Sequence, residues 1–586
     1  MIHVRGRRRI NENMFGAESS IWQEKTSKWR KGDLEDDGYV AGGLSLSRIY
    51  FFYLVSFLIL LVFVARLFVL TVVAGARNRE LADNNRVKLV EFEAGRGKIF
   101  DRRGDELASS KIAYFLKKDD KEREITETDA QNLEKGGRAG EYFEGVDGKV
   151  MREVLRKYNL GEAGAHVLGY TSVVQVEEKE QDKSLSTTNA MGRLGIEDTY
   201  DSFLLGKPGR RLVEVDAEGK NVSILGVEEA RSGRDVYSTI DGGLQKVAYD
   251  SLKKYSDLAT SKKGAVVVEN PNTGEILALA SAPSFDPEDI GRAVTDKNLP
   301  FFNRVVQGNY PPGSVFKIVS ALAGLESGKV DANTEFDDTG SIKVGGQTFS
   351  NWFYLEYGKT DGLIKMKRAI ARSNDVFFYK LGQEIGVDTI KQMAVKLGYG
   401  QKTAIDLPDE SFGLVPDEVW KKAGIGESWF LGDTLHLAIG QGFMLTTPIQ
   451  VNKITSYIAS GKLTKPYLVS KINGGDGASE IKFEPKVVGE NLVSQEHLDL
   501  VRAGMEGACE AGGTGAPFFN AKYRVACKTG TAEELGGSSH AWFTVYAPAD
   551  KPEIALTVLV ERGGQGSAVS APVAKEILDW WFANRK

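Results

Sequence analysis

Cysteine and histidine are scarce in this chain of 586 residues: two cysteines, Cys509 and Cys527, and five histidines scattered singly. Two cysteines build no disulfide framework, and isolated histidines form no cluster with metal-ligand spacing. Zinc chemistry and a cystine-stapled fold are therefore excluded as organising principles. An excess of one charge is also missing. The net charge of −5, with 26% charged residues, implies a mixed surface and no electrostatic reason to bind nucleic acid. No repeat of the solenoid kind is visible. The length exceeds what one core fills, so two or more domains are expected.

One apolar run stands out. "IYFFYLVSFLILLVFVARLFVLTVVAGA", Ile49 to Ala76, carries a single charge, Arg66. A bilayer span needs roughly 20 such residues, and this run lies too far from Met1 and is too long for an ordinary cleaved signal. It reads as a single transmembrane anchor, residues 47–75. Basic residues flank both ends, Arg48 on one side and Arg77 and Arg79 on the other. Local charge therefore does not set the orientation, although "RGRRR" at Arg5 to Arg9 leans toward a cytoplasmic N-terminus.

Residues 1–46 are polar and charge-mixed and read as a disordered cytoplasmic tail. Residues 76–233 alternate short β-like runs with charged stretches, an extended, strand-rich spacer. Within it "KKDDKEREITETDAQNLEKGGRAGEYFEG" holds almost no core-forming residues and reads as a solvated excursion. Residues 234–586 have a different texture. "GAVVVENPNTGEILALASAP" is a hairpin signal around Asn-Pro-Asn-Thr-Gly. Helical patterns follow at "SVFKIVSALAGLESG", "KMKRAIARSNDVFFYKLGQEIG" and "VDTIKQMAVKLG". Three strand-like runs and an amphipathic helix close the chain. The fold class expected is α+β: one antiparallel sheet, built from both ends of this region and covered by helices.

The chemistry concentrates in "NYPPGSVFK". Pro311, Pro312 and Gly313 block a helix from upstream, so a helix is expected to start at Ser314, one turn ahead of Lys317. Burial depresses a lysine pKa, and a neutral amine can take a proton from a serine hydroxyl. Ser-x-x-Lys alone is weak, since Ser251 and Lys254 match it on what reads as a solvated face. Downstream, however, lie Ser373-Asn374-Asp375 and Lys528-Thr529-Gly530-Thr531, in the order known for serine acyl-enzymes that react with β-lactams.

With these motifs the chain resembles the class B penicillin-binding proteins, from about residue 60 to the end. "RGKIFDRRGDELASS", "GRLGIEDTYDSFLLGKPGRRLVEVDAEGK", "IGQGFMLTTPIQV" and "HAWFTVYAP" carry the likeness outside the motifs. The wording is closer to elongation-type than to division-type members. The resemblance implies a pedestal (dimerisation-like) domain over 76–233 and a transpeptidase domain over 234–586. It also implies D,D-transpeptidation of peptidoglycan stem peptides ending in D-Ala-D-Ala, with β-lactams trapping the enzyme. Carried over, Ser314 is the nucleophile, Lys317 its base and Ser373 the proton relay. Lys528, Thr529 and Thr531, with Gly530 between, hold the substrate carboxylate. The N–H groups of Ser314 and Thr531 form the oxyanion hole. The expected partner is a membrane glycan polymerase of the shape, elongation or division type, because too little chain precedes the anchor for a polymerising domain.

Some residues depart from the family pattern. Asp375 stands where most relatives have asparagine, and a mainly electrostatic role toward Lys317 and Ser373 is expected of it, with substrate contact secondary. Cys527 replaces the glycine usual before Lys-Thr-Gly. The compartment implied by the resemblance is oxidising, but two unpaired thiols are the expectation, with a Cys509–Cys527 disulfide as the alternative. Some elongation-type relatives carry a metal behind the nucleophile helix. No cysteine or histidine lies between Lys317 and Ser373, so neither metal nor cofactor is expected. Two rival functions use the same residues: a β-lactamase or D,D-carboxypeptidase, and a scaffold regulating a glycan polymerase.

Overall fold

The computed structural model describes residues 46–118, 121–134, 149–174, 176–181, 190–215, 221–475, 477–533 and 537–585. It divides into two compact units, Met1–Arg86 and Val87–Lys586. In the first, the helix Leu46–Phe68 continues through a π-helical turn, Val69–Val73, where the Thr71 hydroxyl donates to the Leu67 carbonyl. An 18-residue stretch of this 28-residue run reaches a mean hydropathy of 2.7, and none of the run is buried. At 1.5 Å rise per residue the run exceeds the roughly 30 Å hydrocarbon thickness, so it is long enough to anchor the protein in a membrane. The expected tail lies almost wholly outside the described residues.

The second unit begins with strands. Val87–Phe92, Gly209–Val215 and Asn221–Glu228 form a three-stranded antiparallel sheet. A seven-stranded sheet combines Ile99–Phe100, Glu106–Lys118, Lys121–Ile125 and Lys149–Tyr158 with Val236–Ser238, Val469–Ile472 and Ile481–Lys482. Strands from both sides of residue 233 thus share one sheet. A buried ion cluster ties the spacer together. The Arg96 guanidinium lies 2.8 Å from carboxylate oxygens of Glu197 and Asp201, and Arg156 Nε 2.7 Å from Glu197.

The charged block in the spacer is more ordered than its composition suggests. Lys121–Ile125 pairs with the end of Glu106–Lys118, and a helix follows at Glu127–Glu134. Ile125 and Ala130 bury against Leu116 in a small separate cluster. A strand and an amphipathic turn need only one apolar residue in two or four, and composition averages that away. The rest of the block, 119–120 and 135–145, lies outside the described residues.

The larger domain is built on a five-stranded antiparallel sheet. Its strands are β1 (Gly264–Glu269), β2 (Ile276–Ala282), β3 (Ala526–Glu533), β4 (Ser539–Ala547) and β5 (Ile554–Val560), ordered β2-β1-β5-β4-β3. The expected hairpin forms: Asn270 Oδ1 accepts from the Asn272 N–H, and the Asn270 carbonyl from the Gly274 N–H. Alternate side chains serve two cores. Val266, Val268, Phe543 and Val558 pack with helices α1 (Gly242–Ser256) and α7 (Ser570–Asn584). Ala265, Val267, Trp542 and Leu559 belong to the second core. There they join α2 (Lys317–Glu326), α3 (Met366–Arg372), α4 (Asp375–Lys396), α5 (Pro448–Ser460) and α6 (Gln495–Ala508).

Two local expectations are corrected. The segment of Ser314 opens as a 3₁₀ turn, Gly313–Phe316, and the α-helix begins at Lys317. The long helical pattern around Ser373 is two helices, because Ser373 adopts φ 53° and Asn374 caps α4 by accepting from the Phe377 N–H. A left-handed non-glycine residue costs about 1 kcal/mol, and the cap offsets a comparable amount.

The cysteines also differ from the expectation of unpaired thiols. Cys509, just past α6, and Cys527, on β3, form a disulfide with Cα atoms 5.8 Å apart. The packing of α6 against β3 brings together two residues 18 apart in sequence. No local pattern encodes that proximity.

Candidate active site

The Ser314 turn is gripped from two sides. Gly313 donates its N–H to the Gly440 carbonyl, and Tyr310 pairs with Thr446. Both acceptors belong to the "IGQGFMLTTPIQV" stretch. From the sheet, Trp542 Nε1 donates to the Pro311 carbonyl at 3.0 Å. Gly313 has φ 56°, and a Cβ there would lie 2.7 Å from the Thr531 carbonyl oxygen. Only glycine lets the turn approach β3 this closely. Ser314 is half-buried, and its hydroxyl makes no hydrogen bond to another described residue, so it is oriented by backbone alone.

One turn on, Lys317 is fully buried. Its Nζ donates to Asp375 Oδ1 at 2.6 Å, to the Ser373 carbonyl at 2.7 Å and to Ser373 Oγ at 3.4 Å. Desolvation lowers the Lys317 pKa, and the Asp375 charge works against that shift. From the opposite wall Lys528 Nζ donates to Ser373 Oγ at 2.7 Å and to the Thr529 carbonyl at 2.9 Å. Burial, and then the like charge of Lys317, hold the Lys528 pKa well below the ordinary lysine value. The Ser373 hydroxyl therefore bridges two buried lysines.

The structure brings Lys317, Ser373, Asp375 and Lys528 into one hydrogen-bonded group, with Thr529, Gly530 and Thr531 following on β3. Among the described residues, the side chains of Ser314, Thr529 and Thr531 make no hydrogen bond to this group; the Thr529 hydroxyl bonds Thr514 instead. Sequence reasoning missed the layer beneath. Asn351 Oδ1 accepts the Asp375 N–H, and the Trp352 N–H donates to Asp375 Oδ2 at 3.0 Å. The buried Asp338 carboxylate accepts from the side-chain amides of Asn351 and Asn374 and from the Asp361 N–H. Nothing in the local sequence around Asp338 or Asn351 marks them, since each acts across more than ten residues. Among the described residues no group of three or more His, Cys, Asp and Glu is arranged to hold a metal ion.

A serine in a rigid turn, a buried lysine beside it and a second lysine on a facing strand define a serine acyl-transferase. Residues 264–579 match the penicillin binding protein transpeptidase domain and residues 120–238 the penicillin-binding protein dimerisation domain. The chain belongs to the penicillin-binding protein family, in its class B, elongation-type branch. It is 32% identical over 571 residues to the peptidoglycan D,D-transpeptidase MrdA of Acinetobacter baumannii, covering 86% of this chain and 83% of that one. A solved chain from a peptidoglycan synthase complex that coordinates polymerization and crosslinking aligns with a TM-score of 0.73. The identity is 29%, over 92% of this chain and 99% of that one. PBP2 of Helicobacter pylori, solved in complex with MreC, aligns with a TM-score of 0.69 and 27% identity, over 85% and 99%.

Proposed function

We propose that this protein is a serine D,D-transpeptidase that cross-links peptidoglycan stem peptides during cell-wall elongation. The observation that carries the reading is the convergence on one hydroxyl: Ser373 Oγ lies 3.4 Å from Lys317 Nζ and 2.7 Å from Lys528 Nζ. Lys317 leans toward Asp375, and catalytic hydrogen bonds commonly tighten on substrate binding.

Each step then has an assigned group. The neutral Lys317 amine takes the Ser314 proton as Oγ attacks the carbonyl of the penultimate D-alanine. The N–H groups of Ser314 and Thr531 stabilise the oxyanion, a donor pair of the kind worth a few kcal/mol. Collapse breaks the peptide C–N bond, and the proton passes from Lys317 through the Ser373 hydroxyl to the departing D-alanine amine. Lys528, Thr529 and Thr531 hold the terminal carboxylate. The acceptor amine of a second stem peptide then attacks the Ser314 ester, forms the cross-link and returns the proton to Ser314. A β-lactam presents the same carbonyl and carboxylate but retains its leaving group, so the ester persists.

The same reading makes residues 47–75 a single-pass anchor in the cytoplasmic membrane and places the catalytic domain outside it. Residues 76–233 form the pedestal and 234–586 the transpeptidase domain. The relatives solved with MreC and within a synthase complex support a membrane glycan polymerase and an MreC-type protein as partners. A hydrolase reading is tested by supplying a D-Ala-D-Ala stem peptide with and without an acceptor amine. A transpeptidase diverts the acyl group into cross-linked product and turns over penicillin slowly. Steady penicillin hydrolysis without cross-linked product would make the protein a β-lactamase.

A further inference from the structure

Between Glu510 and Asn520 the chain reads Ala-Gly-Gly-Thr-Gly-Ala-Pro-Phe-Phe, so Thr514 is the one side chain there with a hydrogen-bonding group. That group lands on the substrate strand: Thr529 Oγ1 donates to Thr514 Oγ1 at 2.8 Å. The glycine beside it is required by packing. A Cβ on Gly515 would lie 2.8 Å from Cys527 Sγ and 3.1 Å from Cys509 Sγ. The loop is thereby seated directly on the disulfide that precedes Lys528.

The loop is also tied to the opposite wall of the cleft. Arg372 Nη1 donates to the Gly512 carbonyl at 3.3 Å, while its Nε donates to Asp361 Oδ1 at 3.1 Å. Asp361 Oδ2 in turn accepts from Asn374 Nδ2 at 3.2 Å. The loop therefore connects the strand carrying Lys528 and Thr529 to the segment carrying Ser373.

We propose that Thr514 is a positioning residue of the substrate-carboxylate subsite, holding the Thr529 hydroxyl from a loop pinned by the Cys509–Cys527 disulfide. This rests on the assignment of Thr529 to the carboxylate in the proposed function. A threonine hydroxyl both donates and accepts. When a carboxylate binds, the Thr529 O–H turns to it, and the Thr514 O–H donates to the Thr529 oxygen in its place. The resulting chain, Thr514 to Thr529 to carboxylate, polarises the terminal donor. Thr514 touches no substrate; it sets the orientation and strength of the group that does.

The test compares benzylpenicillin with its methyl ester, which lacks the free carboxylate, on wild type, Thr514→Val and Thr514→Ser. Saturation kinetics separate the binding constant before acylation from the limiting acylation rate. Thr514→Val is expected to weaken binding of the acid by about fivefold, as loss of one neutral hydrogen bond does. Its limiting rate, its binding of the ester and its thermal midpoint stay as in wild type. Thr514→Ser is expected to restore binding of the acid. Equal loss on acid and ester, or no loss on either, overturns the proposal. A wild type that takes acid and ester equally removes Thr529 from the carboxylate subsite and overturns the reading beneath it.

Discussion

The Asp375 carboxylate lies 2.6 Å from the ammonium of Lys317, inside a site where the lysine is fully buried. Its second oxygen accepts the Trp352 N–H. An aspartate accepts but does not donate when ionised, so at this position it serves the lysine. Asp375→Asn keeps an acceptor toward Lys317 and should retain penicillin acylation within about tenfold, 1.4 kcal/mol. Asp375→Ala leaves the buried lysine without its partner and should lose more than about a hundredfold, in line with the roughly 3 kcal/mol cost of breaking a buried pair. Stopped-flow acylation of the two variants measures the difference. Equal, wild-type behaviour of both would remove Asp375 from the site.

The same pair fixes a pH effect. Burial lowers the Lys317 pKa, and Asp375 partly restores it. In the proposed mechanism the neutral amine is the active form, so acylation is expected to fall as pH drops through the lowered lysine pKa. Asp375→Asn removes the restoring charge, lowers the pKa further and moves that acid limb to lower pH. The acylation rate against pH, measured on both proteins, gives the direction. A limb that moves to higher pH contradicts the role given to Asp375.

The disulfide predicts no reactive thiol in the unfolded, unreduced protein. Replacing both Cys509 and Cys527 by serine should cost about 3 kcal/mol, the chain-entropy value for a closed loop of this size. Thiol titration and denaturant unfolding check the two statements.

In the pedestal, Glu197 is fully buried between Arg96 and Arg156. Glu197→Ala leaves two guanidinium groups without their shared carboxylate and should destabilise this unit by roughly 3–5 kcal/mol. The fall appears in denaturant unfolding. Isolated Ser314 acylation at low temperature should persist, because the cluster lies outside the catalytic group.

What was legible in the sequence is what local rules encode. The hairpin at Asn270 to Gly274 follows from turn chemistry, and the five strands from their apolar runs. Ser314, Lys317, Ser373 and Lys528 are marked by spacing within motifs. The break at Ser373 was hidden because its helical pattern continues on both sides; the cap by Asn374 and the hub at Asp338 decide it. Asp338, Asn351 and Thr514 act across long sequence separations, so no window contains both partners. The Cys509–Cys527 bond has the same cause. Its proximity is made by the packing of α6 on β3, which the places of the two cysteines in the sequence do not reveal.

The central claim is that Ser314 is the acylated residue and that Lys317 activates it. Mass spectrometry of the penicillin-treated protein, digested and mapped, tests it most directly. The account predicts one adduct, on the peptide containing Ser314, absent in Ser314→Ala and absent in Lys317→Ala with the fold intact by circular dichroism. An adduct on another residue, or one that persists in Ser314→Ala, would contradict it.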